Sequence, residues 1–65
     1  MTLRKNDLRK FREKHALTQE TLAEKVGVTR QTVISVERDR YTPSLELSLK
    51  LAKVFGCRVE DLFGL

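Results

Sequence analysis

The chain has 65 residues, 40% of them hydrophobic and 34% charged, and thirteen Lys and Arg against nine Asp and Glu give a net charge of +4 and a pI near 9.6. Those proportions describe one small globular domain spanning 1–65 and argue against a disordered or membrane-embedded chain. One Cys and one His leave no internal disulfide to form and argue against a metal site or a catalytic dyad, so no cofactor is expected. No apolar run approaches the roughly 20 residues that span a bilayer. MTLRKNDLRK lacks the apolar centre of a signal peptide, and the expected location is cytoplasmic.

In chain order, Asn6 is the candidate N-cap of a first helix running to about His15. Leu8, Phe11 and His15 form its inner stripe, and Arg12 lies on the flank beside Leu8. Arg4, Lys5, Arg9, Lys10, Arg12 and Lys14 crowd this segment, offset only by Asp7 and Glu13. Such a cluster suits either a footprint for phosphates or an ordinary solvated surface.

Thr18 is placed to cap a second helix, with Leu17 and Leu22 spaced as a hydrophobic staple. Leu22, Ala23 and Val26 repeat at helical spacing, while Gln19, Glu20, Glu24 and Lys25 face water. Gly27 ends the helix, because a glycine adopts positive φ at little cost. Thr29 starts another only two residues later. Two helices joined so tightly must cross steeply, as in a DNA-binding helix-turn-helix.

The third helix runs from Arg30 to about Arg38. At 100° per residue, Val33 and Val36 point inward and Gln31, Ile34, Ser35 and Arg38 point outward, with Arg30 in the first turn. An amide, a hydroxyl and guanidinium groups on one face suit base edges and phosphates. Polar helix faces are also commonly just solvated; the turn spacing and the basic balance favour DNA.

Pro43 biases Thr42 away from helix. In the segment from Leu45 to Gly56, leucines at 45, 47, 49 and 51 alternate with Glu46, Ser48 and Lys50, which on its own would suit a strand. Helix-forming Leu, Glu and Lys, with Ser44 as cap and Gly56 as stop, favour a fourth helix. Leu45, Leu49 and Ala52 are expected to pack on the helix-turn-helix unit, leaving Leu47, Leu51 and Val54 for another helix or subunit. Cys57 reads as a small apolar filler. Leu62, Phe63 and Leu65 either close the core or form a dimer contact.

Residues 19–38, QETLAEKVGVTRQTVISVER, resemble the helix-turn-helix of the lambda-repressor and Cro-like family. Ala23, Gly27 and the aliphatics Leu22, Val26, Val28, Val33 and Val36 carry the likeness. The flanks LRKFREKHALTQ, YTPSLELSLKLAKVFG and VEDLF extend it to about Asn6–Phe63. The resemblance implies an all-α fold, a compact bundle of about five short helices around a central helix-turn-helix, with the last helix near Val59–Phe63. It also implies an ion pair between Arg12 and Glu37, and Glu37 beside an apolar stripe needs such a partner to stay charged. The family usually has glycine where Ala16 and Asp39 stand. A differently shaped helix end is therefore expected at Ala16, whereas Asp tolerates the left-handed region. Arg58 replaces the usual small hydroxyl cap of the final helix.

By the same resemblance the chain is expected to be a sequence-specific regulator of transcription, a repressor, that binds double-stranded DNA as a homodimer; with no nucleophile–base pair, carboxylate constellation or phosphate-binding glycine loop in the sequence, it is not expected to be an enzyme. Arg30, Gln31 and Ser35 match base-reading positions; Thr29 would meet a thymine methyl or the backbone, and Gln19 a phosphate. Thr32, Arg38 and Arg40 complete the candidate contacts. No small-molecule ligand is evident. The rival reading is a protein-interaction module such as an antitoxin, using Ile34 or the apolar C-terminal segment.

Overall fold

The computed structural model describes residues 3–64, and its helices follow the punctuation of the sequence. Helix α1 spans Leu8–Lys14, α2 Gln19–Val26, α3 Arg30–Glu37, α4 Leu45–Phe55 and α5 Val59–Leu62. Thr18, Thr29 and Ser44 cap α2, α3 and α4, each hydroxyl accepting from the backbone N–H three residues on at 3.0, 3.2 and 3.1 Å. Arg58 cannot cap α5 in that way. There the Asp61 carboxylate reaches back to accept from the Arg58 N–H at 2.9 Å, so the start is secured from inside the helix.

The first four helices end in one and the same motif. Ala16, Gly27, Asp39 and Gly56 take φ of 55°, 72°, 59° and 63°, and the next residue's N–H closes on a carbonyl five residues back. Leu17 donates to Arg12, Val28 to Ala23, Arg40 to Ser35 and Cys57 to Ala52 at 2.9–3.1 Å. The altered end expected at Ala16 is therefore not found: alanine is held in the geometry that glycine would take freely. A left-handed alanine costs about 1–2 kcal/mol, and glycine's greater freedom in the unfolded chain returns about 0.4–1 kcal/mol of that. Ala16→Gly should accordingly stabilise the domain by roughly 0.5–1 kcal/mol, read as a higher urea midpoint at unchanged slope.

Leu8, Leu22, Val36, Leu51 and Leu62 form the innermost core, with Ala23, Val26, Val33, Leu47, Ala52, Phe55 and Phe63 buried around them. Leu62 and Phe63 thus close the core; Leu65 lies outside the described residues. Cys57 is half-buried against this core, and burial, then the charge of Asp61, pushes its thiol above its ordinary range, as suits a packing residue.

The two leucine ridges of α4 are the reverse of those expected, although Ala52 is buried as expected. Leu47, Ser48, Leu51, Ala52 and Phe55 are buried, whereas Leu45 and Leu49 are 72% and 54% exposed. Leucines at alternate positions make two ridges on opposite sides of a helix. Phe55 and the small Ser48 and Ala52 flank the ridge of Leu47 and Leu51, so that side packs more closely.

Two further features depart from the sequence reading. The N-cap of α1 is Asp7, not Asn6; Asn6 belongs to a short strand, although its Oδ1 still accepts from the Leu8 N–H at 3.2 Å. Strands β1 at Lys5–Asn6 and β2 at Phe63–Gly64 pair antiparallel, Lys5 opposite Gly64 and Asn6 opposite Phe63, a small sheet added to the helical bundle. Among the described residues, no helix is long and apolar enough to cross a membrane.

Candidate nucleic-acid interface

Helix α3 is held to the body of the domain at its C-terminal end by two polar straps. In the first, Arg12 Nε donates to Glu37 Oε2 at 2.6 Å and Nη2 donates to Oε1 at 3.3 Å, with side chains only 12% and 4% exposed. Arg12 Nη1 also reaches the Leu17 carbonyl at 2.9 Å, so one guanidinium joins α1, the α1–α2 turn and α3. The hydrogen bond and charge of Glu37 push the guanidinium's pKa up, against the effect of burial.

The second strap was not foreseen. Asn6 Nδ2 donates to the Val36 carbonyl at 2.7 Å and to Asp39 Oδ1 at 2.8 Å, securing the end of α3 against β1. The sequence offered Asn6 only as a cap, a local role. Its long-range bonds depend on strand pairing that no local pattern announces.

Held in this way, α3 buries Val33 and Val36 and turns its other side outward, as its spacing predicts. Arg30, Gln31 and Arg38 are exposed, and Thr32, Ile34 and Ser35 are half-buried. The outward ridge lies between two clefts. On one side, a cleft of about 690 Å³ is lined by Arg9 and Arg12 of α1, the start of α2 at Thr18–Glu20, and Arg30, Glu37 and Arg38. On the other, a cleft of about 530 Å³ gathers Thr29, Gln31, Thr32 and Ser35 with Tyr41, Ser44, Glu46 and Lys50. A helix in a major groove has one phosphate strand on each side, and this relief matches that need.

The candidate contacts are therefore not all equivalent. Thr29, Gln31, Thr32 and Ser35 share one cleft, and Arg30, Arg38 and Gln19 share the other, while Arg40 is exposed on the loop beyond α3. The Thr29 hydroxyl is engaged with the Thr32 N–H and lies 3.1 Å from the Thr32 hydroxyl, so it serves first as a cap. The Gln19 amide donates to Glu37 Oε1 at 3.3 Å, which makes it part of the Arg12–Glu37 strap as well as a candidate phosphate contact. Tyr41 and Lys50, which are not among the contacts the sequence suggests, stand in the same cleft as Gln31 and Ser35. An aromatic residue in the loop after a reading helix was the available signal for Tyr41.

A profile of the helix-turn-helix family matches residues 8–62. An HTH-type transcriptional regulator of Methanocaldococcus jannaschii is 54% identical over 59 residues, 91% of this chain and 89% of that one. The immunity repressor protein of Bacillus phage phi105 is 37% identical over 57 residues, 88% of this chain but 40% of the repressor. Among solved structures, the restriction-modification controller protein C.AhdI from Aeromonas hydrophila superposes with a TM-score of 0.79 at 41% identity, covering 86% of this chain and 81% of that one. These relatives are regulators and not enzymes. The chain belongs to the lambda-repressor and Cro-like helix-turn-helix family of DNA-binding transcriptional regulators.

Proposed function

We propose that the protein is a sequence-specific repressor that inserts α3 into the major groove of duplex DNA, acting on DNA in the cytoplasm. The observation that carries this reading is the exposed Gln31 on a helix ridge set between two clefts. Gln31 would read adenine through its amide, Arg30 guanine through its guanidinium, and Ser35 either base. Arg38, Arg40 and Gln19 would fix the register on phosphates, with Thr29 and Thr32 at the edge of the reading face. Repression is supported by the name of the phage relative and by the simplicity of blocking a site through occupancy. The test is selection of bound duplexes from a random pool, followed by a salt titration of the winner. A consensus site with affinity falling steeply with salt is expected. Weak, sequence-blind retention would favour a protein-interaction module instead.

The reading includes a homodimer, whose two copies of α3 would enter successive major grooves about 34 Å apart. Exposed Leu45 and Leu49 support it, and Leu45 lines an apolar groove together with Leu3, Pro43, Val59 and Phe63. Neither leucine is buried in the core, so Leu45→Lys with Leu49→Lys should leave a folded domain whose melting temperature falls only by the contribution of the lost dimer. Sedimentation should then show monomers, and affinity for a near-palindromic site should fall about a hundredfold as the second half-site is lost. Dimers that survive both changes would place the contact elsewhere.

A further inference from the structure

The structure separates the cations of the N-terminal segment, which look alike in the sequence. Lys5 and Lys10 flank one carboxylate, Asp7, at 3.8 and 3.9 Å, and Lys5 also donates to the Glu60 carbonyl at 3.3 Å. Arg12 is committed to Glu37. Arg9 is placed differently: it lines the cleft that also holds Arg30, Arg38 and the start of α2.

Within that cleft, Arg9, Arg12, Arg30 and Arg38 meet only two carboxylates, Glu20 and Glu37, and Glu37 is already spent on Arg12. The remaining excess of positive charge lies beside the reading ridge. The positive end of α2 adds to it, because an eight-residue helix opens into the cleft at Thr18–Gln19. Among the described residues, Arg9 is held only by Glu13, at 3.6 Å, with the two side chains 71% and 57% exposed. A pair so open to water contributes little and is readily exchanged for a stronger acceptor.

We propose that Arg9 is a backbone-positioning residue of the DNA interface: it grips a phosphate of the strand that enters the cleft beside Arg30 and Arg38, extending the interface from the helix-turn-helix onto α1. This assignment rests on the proposed entry of α3 into the major groove. It gives the cation cluster a division of labour, since Lys5 and Lys10 neutralise Asp7 while Arg9 faces the duplex.

The test compares Arg9→Ala with Lys10→Ala, each of which removes one unit of charge from the same helix. Affinity for the selected duplex and for a scrambled duplex is measured between about 50 and 200 mM salt. Arg9→Ala should lose several-fold on both duplexes alike, and the slope of log affinity against log salt should become shallower by about 0.9, one phosphate contact. Arg9→Lys should retain most of the slope, and Lys10→Ala should keep the wild-type slope. Identical slopes for Arg9→Ala and wild type, or an equal change in Lys10→Ala, would overturn the assignment of Arg9 alone. A wild-type protein that shows no salt-dependent binding to any duplex would overturn the DNA reading and this inference with it.

Discussion

Arg12→Ala is expected to remove most of the stability of the fold. The variant strands the Glu37 carboxylate, only 4% exposed, with the Gln19 amide at 3.3 Å as its remaining side-chain donor among the described residues. Breaking a buried pair from one side costs about 3–5 kcal/mol, because the surviving charge keeps its desolvation penalty and loses its partner. A domain of 65 residues has on the order of 3–10 kcal/mol in total. Urea unfolding should therefore show either a sharply lowered midpoint or a chain already unfolded in buffer. Lys10→Ala, which disrupts only an exposed contact with Asp7, should change stability by less than about 0.5 kcal/mol. Replacing both partners, Arg12→Met with Glu37→Leu, should recover most of the loss, since no unpaired charge remains. If Arg12→Ala melts with the wild type, the pair is incidental to the fold.

That pair also shows how far the sequence reaches. A carboxylate beside an apolar stripe advertises its need for a cation, and the family pattern pointed to Arg12, so a contact across 25 residues was legible. The caps at Thr18, Thr29 and Ser44 and the stops at Gly27 and Gly56 were legible for a different reason: each signal acts within four or five residues of itself. The outward side of α3 followed from its spacing alone.

What escaped was decided by packing between distant segments. The alternation of leucines in α4 does not by itself choose between its two ridges; the flanking Phe55, Ser48 and Ala52 matter only once α2 and α5 pack against that side. The pairing of Lys5–Asn6 with Phe63–Gly64 joins segments from either side of the whole bundle, and a two-residue ladder leaves no periodicity to detect. Asn6 was misread with it. The cleft that unites Arg9 with Arg30 and Arg38 is of the same kind, because α1 meets α3 only in the folded domain. Ala16 marks a different case: alanine's reluctance for positive φ suggested another helix end, and the chain nevertheless closes the same turn through the Leu17 N–H on the Arg12 carbonyl.

Gln31→Ala should separate reading from gripping. Gln31 stands exposed on the ridge, and truncating it to a methyl removes both amide hydrogen bonds while leaving the buried side of α3 at Val33 and Val36 untouched. The expected loss on the selected site is about 1–3 kcal/mol, with preference relaxed at the base it contacts and little change on scrambled DNA. Arg38→Ala, at the C-cap of α3 on the arginine-lined cleft, should weaken every sequence alike and flatten the salt dependence. The contrast is the informative quantity, because one side chain is assigned to base edges and the other to phosphates. Equal losses on selected and scrambled duplexes from both variants would mean that the ridge is turned away from the bases. Specificity would then have to come from residues off that ridge, such as Tyr41 on the loop beyond α3, and selection with a Tyr41→Ala variant would show it directly as an altered consensus.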